Sequence, residues 1–211
     1  MTDFARLNLP RVYPLTDVQM SGLSHAQQVE LLSAGGATLV QLREKQMPPR
    51  EFYEHAKAAM EVATRSGVRL IINDRVDVAL AAKAHGVHLG QDDMPPDAAR
   101  KLLGDEAIIG YSTHNIEQAT KALSLPIDYL AIGPIFATST KTDTSPVLGL
   151  DGLRAVRKAI GAVPLVAIGG ISVTNAPEVI EAGADSVALI SALLSNPRQI
   201  RESIQALMRG L

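Results

Sequence analysis

Short apolar runs recur along the chain at 12–15, 38–42, 68–72, 86–89, 107–111, 129–133, 164–168 and 186–190. Their starts lie about 25 residues apart on average, room for one strand, one helix and two short loops. Between the runs the period changes. Phe52, Ala56, Ala59, Met60 and Ala63 fall on one face of a helix, as do Ile200, Ile204, Leu207 and Met208. Ser24 with Gln27 and Asn115 with Gln118 carry the spacing of helix starts, and Gly67, Gly161, Gly183 and Gly210 suit helix ends. A partial repeat marks the passage from helix to strand in Ala34-Gly35-Gly36-Ala37, Ala84-His85-Gly86-Val87 and Ala182-Gly183-Ala184-Asp185. Eight such units predict an α/β chain folded as a closed (β/α)8 barrel, one domain over 1–211. A doubly wound open sheet is the alternative, because periodicity does not show closure.

A barrel of this kind places its chemistry just after its strands. Polar residues gather there: 41–45 after the second run, Asn73-Asp74 after the third, Gln91-Asp92-Asp93 after the fourth and Ser112-Thr113-His114 after the fifth. The sixth is followed by Thr138-Ser139-Thr140-Lys141, the seventh by Gly169-Gly170 and the eighth by Ser191. On adjacent parallel strands the ends bearing Asp74 and Asp93 would lie roughly 4.8 Å apart. Two carboxylates so placed can share magnesium, which takes oxygen ligands and keeps sites for water and phosphate. Either aspartate could instead be a helix N-cap.

The alternation of Gln41, Arg43 and Lys45 puts three polar side chains on one side of an extended segment. Beside a magnesium site these cations suit a diphosphate, arginine through its planar fork and lysine as a compact charge; Lys141 could add another. Taken alone, such a basic pair at a strand end is a solvated rim or an ion-pair partner. The segment 138–140 could donate hydrogen bonds to an anion, with 143–146 as a lid, or be a surface loop. Gly169-Gly170, with a helix expected to start at 172–174, lets backbone amides approach a phosphate, and Ser191 opens the next helix. Among the histidines, His88 is expected to line the barrel, His25, His55 and His85 to sit in helices or loops, and His114 lies nearer the chemistry without an assignable partner.

Composition narrows the classes. Net charge is -2, 46% of residues are hydrophobic, aromatics are few, and no run of lysine or arginine suggests nucleic-acid binding. Cysteine is absent, which removes disulfides and thiolate chemistry. No stretch has the ~20 apolar residues of a membrane span, and the first residues lack a secretory pattern. A cytoplasmic protein is expected, with its oligomeric state left open.

In Gln41-Leu42-Arg43-Glu44-Lys45, Asn73-Asp74-Arg75, 86–93, 138–141 and Ile168-Gly169-Gly170-Ile171, in that order, the chain resembles the thiamine phosphate synthase family over nearly its whole length. The resemblance implies a TIM barrel transferase. It joins hydroxymethylpyrimidine diphosphate to hydroxyethylthiazole phosphate, releasing pyrophosphate and forming thiamine phosphate. It also implies that Gln41, Leu42, Arg43, Glu44, Lys45, Asn73, Ser112 and Lys141 bind the pyrimidine diphosphate, with Arg43, Lys45, Lys141 and Ser112 acting in catalysis. Asp74 and Asp93 would hold magnesium, and Thr138, Ser139, Thr140, Gly170, Ile190 and Ser191 would bind the thiazole phosphate. A thiazole tautomerase, another phosphosugar-type barrel enzyme and a non-catalytic sensor of thiamine precursors are the competing readings.

Overall fold

The computed structural model describes residues 7–138 and 146–211. Eight parallel strands close into a barrel in chain order: β1 (Val12–Thr16), β2 (Leu39–Leu42), β3 (Arg69–Asn73), β4 (Gly86–Leu89), β5 (Ile108–Thr113), β6 (Tyr129–Ile132), β7 (Leu165–Ile168) and β8 (Ser186–Leu189). Closure is made by β8 pairing with β1, where Tyr13 faces Ala188. The strands sit within two residues of the apolar runs. Strands enclosed by helices are buried on both faces, so they read as continuous apolar segments.

Helices α1 (Val18–Ser21), α2 (His25–Ala34), α3 (Pro49–Ser66), α4 (Val76–Ala82), α5 (Pro96–Leu103) and α6 (Ile116–Lys121) follow the first five strands. After the last three come α7 (Gly149–Ile160), α8 (Ala176–Glu181), α9 (Ser191–Leu194) and α10 (Ile200–Gly210). The capping reading holds: Ser24 and Gln27 form a reciprocal capping box, and Asn115 accepts from the Gln118 amide. Phe52, Ala56, Ala59 and Ala63 bury the expected face of α3. Gly67 closes that helix with φ 67°, a conformation that costs glycine little. Among the described residues, no helix is long and apolar enough to cross a membrane.

The amino ends of the strands are braced by two similar arginines. Arg100 bonds the carbonyls of Ala107 and Pro126 and the Asp128 carboxylate, which also accepts from Ile109 N. Arg157 bonds the carbonyls of Gly183 and Val163 and the Asp185 carboxylate, which accepts from Leu165 N.

Gly110 has a packing role inside the barrel. It lies in register between His88 on β4 and Tyr129 on β6. A Cβ there would fall 2.1 Å from Tyr129 Cζ and 2.4 Å from His88 Nδ1. The missing side chain lets the two rings stack at 5.5 Å. Gly110→Ala is therefore expected to destabilise the fold by about 1–3 kcal/mol through overpacking, read as a lower urea midpoint at unchanged slope.

Candidate active site

Among the described residues, three cavities at the carboxyl ends of the strands share Ser112. A narrow well on the barrel axis is lined from every strand and includes Tyr13, Gln41, Asn73, His88 and Ser112. A wide, open cleft lies over the ends of β1 to β5 and holds Arg43, Lys45, Asp74 and Asp93. A third, mostly apolar cavity lies over β5 to β8 between Thr138, Gly170, Ile190 and Ser191.

The two aspartates meet in the wide cleft, and neither is an N-cap: α4 is preceded by Arg75 and α5 by Pro95. Asp74 has φ 63°. Arg75 N donates to Asn73 O at 2.8 Å across it, which makes Asp74 the centre of a γ-turn at the end of β3. Its carboxylate bonds the Lys45 ammonium. Asp93 Oδ2 accepts from Gly90 N at 2.6 Å. Burial raises the Asp93 carboxyl above its ordinary range; the Gly90 amide works against this, and the facing Asp74 carboxylate adds to it. Two anionic groups pressed together in this way are suited to a shared cation. Among the described residues, no cluster of three or more metal-ligating side chains is formed, so a bound ion would draw further oxygens from water or substrate.

The loop after β2 is set by a second network. Arg43 Nη1 bonds Asp17 Oδ2 at 3.0 Å, while Arg43 Nε and Asn73 Nδ2 are buried without a hydrogen-bond partner. Both residues line the wide cleft, and an orphaned buried donor is costly unless something satisfies it. Glu44 also lines the cleft, and its Oε1 accepts from the amides of Lys45, Gln46 and Met47. Burial pushes its carboxyl up, but those amides outweigh it and hold the pKa below the usual value. Leu42 is fully buried and lines none of the three cavities.

Behind this loop, Thr16 Oγ1 pairs with His25 Nδ1 at 2.6 Å, and His25 Nε2 stands 3.7 Å from Glu44. Burial lowers the His25 pKa from 6.5 to about 4; Glu44 and Asp17 oppose the shift and His55 assists it. The unfolded chain therefore binds a proton in that interval which the folded chain does not. Stability should be fully present above the unfolded pKa and fall, by roughly 3 kcal/mol, as the pH drops towards the folded one. Urea midpoints followed through this window should decline, and decline less steeply for His25→Gln.

In the apolar cavity, Gly169 and Gly170 have φ 101° and 63°. A Cβ on Gly170 would come within 2.6 Å of Ala137 O, so this turn packs tightly on the loop after β6. The helix start expected at 172–174 is marked by its caps: Ser172 and Asn175 bond each other's backbone amides reciprocally and Ala176 N donates to Ser172 O, while the regular turns of α8 begin at Ala176 because Pro177 has no N–H to give Val173. Asn175 Nδ2 also donates to Gly170 O, tying the helix start to the glycine turn. Ile190 and Ser191 open α9 as expected. Ser139, Thr140, Lys141 and most of the expected lid lie outside the described residues.

The histidines sort by position. His88 lines the barrel as expected, bonding Tyr129 and Ser112. His114 Nδ1 meets Gly133 O at 2.9 Å and borders both larger cavities. Sequence reasoning missed Thr16 and Asp17, although they end and follow β1 as the other polar clusters end and follow the later strands. It also missed the inward hydroxyls of Tyr13 and Tyr129, for which no sequence signal exists beyond their place in apolar runs.

A closed parallel barrel whose carboxyl face joins cations, paired carboxylates and a glycine-lined cavity defines a (β/α)8 enzyme for phosphorylated small molecules. The family model described as thiamine monophosphate synthase matches residues 12–193, and the chain belongs to that family. It is 52% identical over 189 residues to the thiamine-phosphate synthase of Albidiferax ferrireducens, covering 89% of this chain and 86% of that one. It is 50% identical over 186 residues to that of Chloroflexus aurantiacus, covering 88% and 85%. The solved thiamine phosphate pyrophosphorylase from Pyrococcus furiosus superposes with a TM-score of 0.85 at 36% identity, covering 95% of this chain and 94% of that one.

Proposed function

We propose that this chain condenses hydroxymethylpyrimidine diphosphate with hydroxyethylthiazole phosphate to thiamine phosphate, releasing pyrophosphate, and that each cavity holds one part of the reactants. The observation that carries this reading is the meeting of all three cavities at Ser112. The well takes the pyrimidine ring, with Gln41, Asn73 and Ser112 as polar contacts. The wide cleft takes the diphosphate, held by Arg43, Lys45 and Lys141. The apolar cavity takes the thiazole phosphate, between Thr138 on one side and Gly170, Ile190 and Ser191 on the other, and the family resemblance adds Ser139 and Thr140 as further contacts. Glu44 and Leu42 serve the site by shaping its loop: the first caps three amides and the second anchors the strand beneath.

The chemistry requires separation of charge. As the carbon–oxygen bond of the methylene group breaks, positive charge develops on the aminopyrimidine and negative charge on the departing diphosphate. Asp74 and Asp93 would hold magnesium, which supplies positive charge to the leaving diphosphate. Arg43, Lys45 and Lys141 act on the same oxygens, and Arg43 does so from a position already fixed by Asp17. Ser112, at the junction, orients the pyrimidine toward the thiazole nitrogen, so that positioning supplies much of the remaining acceleration. Small-molecule substrates are the only partners this reading needs.

The test is thiamine phosphate formation by purified protein given both substrates, with magnesium and with a chelator. Magnesium-dependent product is the expected result. Binding of both ligands without turnover would point to a sensor, and binding of the thiazole phosphate alone to a tautomerase.

A further inference from the structure

The loop that carries Arg43 and Lys45 rests on Thr16, His25 and Gln28, polar residues that are fully buried and line none of the three cavities. His25 and Gln28 stand one turn apart at the start of α2 and share a face of it. They hold two consecutive residues at the end of β1. His25 Nδ1 pairs with Thr16 Oγ1 at 2.6 Å, and Gln28 Oε1 accepts from Asp17 N at 3.0 Å. Those two residues in turn hold Arg43 by its opposite ends: Thr16 Oγ1 accepts from Arg43 N at 3.3 Å, and Asp17 Oδ2 takes the guanidinium at 3.0 Å. A second contact reaches the loop one residue further on. His25 Nε2 stands 3.7 Å from Glu44 Oε2, and Glu44 Oε1 gathers the amides of Lys45, Gln46 and Met47.

Burial keeps the imidazole neutral near pH 7, so it carries one N–H and one lone pair. With the proton on Nδ1, Nε2 would turn its lone pair toward the Glu44 carboxylate. The carboxylate favours the other tautomer, in which Nε2–H faces it and Thr16 donates to Nδ1. Thr16 keeps a lone pair for Arg43 N in either case, so the hold on the Arg43 amide does not depend on the tautomer. His25 Nε2 is buried with no hydrogen-bond partner. A buried polar pair with an orphaned nitrogen adds little net stability, since apolar groups of the same shape in place of both partners are close to neutral. Its effect is on geometry: hydrogen bonds are directional, whereas apolar contact is not.

We propose that Thr16, His25 and Gln28 are positioning residues for the transfer reaction: through Thr16 and Asp17 the first turn of α2 fixes Arg43 for the diphosphate, and through Glu44 it fixes the loop that carries Lys45. The proposal rests on the reading that Arg43 and Lys45 hold the diphosphate. It adds residues that touch no substrate yet set the strength of the contact to the leaving group. The thiazole phosphate, placed over β5 to β8, lies outside their reach.

The experiment measures, by calorimetry, the Kd for inorganic pyrophosphate with magnesium and the Kd for the thiazole phosphate, together with kcat/KM for the pyrimidine diphosphate and the unfolding midpoint. The wild type is compared with Thr16→Val, Thr16→Ser, His25→Phe and Gln28→Leu, and Thr16→Val is repeated in an Arg43→Met background. Each of Thr16→Val, His25→Phe and Gln28→Leu should raise the pyrophosphate Kd and lower kcat/KM about tenfold, the worth of one hydrogen bond, with the thiazole phosphate Kd unmoved. Thr16→Ser, which keeps the hydroxyl, should stay near the wild type. In the Arg43→Met background Thr16→Val should lose most of its effect, because the residue it acts through is already gone. Thr16→Val keeps the side chain's shape, so it decides the matter if either helix variant lowers the unfolding midpoint. An unchanged pyrophosphate Kd in Thr16→Val overturns the proposal. So does an equal weakening of the thiazole phosphate, or a loss that multiplies in full with that of Arg43→Met, the signatures of a general packing effect. Arg43→Met alone separates the proposal from the reading beneath it. If it leaves the pyrophosphate Kd unchanged, the assignment of the cleft fails and the positioning with it; if it weakens pyrophosphate while Thr16→Val does not, only the positioning fails.

Discussion

Asp93→Ala is expected to lower turnover on the order of 10²-fold at limiting magnesium, the loss typical of removing one contact to developing charge. Its effect on folding should be small and of opposite origin. The Asp93 carboxyl is pushed above its ordinary range by burial and by Asp74, so in ionised form it opposes folding, an effect that the bond from Gly90 and the charge of Lys45 offset in part. Activity and stability should therefore separate: turnover drops while the unfolding midpoint in chelator holds. Magnesium titrations of the thermal midpoint complete the measurement. The wild type should gain stability with added ion, and the variant should gain much less. A near-normal rate for Asp93→Ala at limiting magnesium would remove Asp93 from the metal site.

The second large effect is expected at Arg43. Its guanidinium is tied to Asp17 at 3.0 Å, with Nε buried and unpartnered, so the side chain is held in place before any substrate arrives. Arg43→Met should reduce kcat by about 10²–10³-fold, with KM for the thiazole phosphate almost unmoved because that cavity lies on the other side of Ser112. Arg43→Lys should recover little, since an ammonium can neither reproduce the planar fork nor keep both Asp17 and a phosphate oxygen in reach. Steady-state kinetics with each substrate varied in turn decides the matter. A loss confined to the KM of the thiazole phosphate would reassign Arg43.

The barrel was legible because its strands are buried on both faces and its helices on one. That leaves apolar runs and apolar stripes of different period, and Gly67 or Ser24 then mark boundaries by local chemistry alone. The strand-end clusters were legible for the same reason: in 41–45 or 91–93, polar residues interrupt a pattern that otherwise predicts burial. What was not legible depends on contacts distant in sequence. Tyr13 and Tyr129 are 116 residues apart, and nothing in either run shows that their hydroxyls meet. His25 reads as the first residue of a capped helix; its burial beneath Thr16 and Glu44 follows from the packing of α2 beside Phe52 of α3. Glu44 belongs to a cationic motif, yet a carboxylate among phosphate-binding cations would oppose an anion. The structure resolves the conflict by turning it to three backbone amides.

The γ-turn at Asp74 places a charged residue with a Cβ where the backbone favours glycine. Fold and chemistry therefore ask for different residues at one position. A glycine there would relieve about 1 kcal/mol of backbone strain while removing one of the two carboxylates. In a variant library sorted for heat resistance alone, position 74 should drift to glycine among the survivors, and those survivors should be inactive. Consensus or stability-guided engineering of this barrel should hold that aspartate fixed and look for its gains at the braced, amino end of the strands.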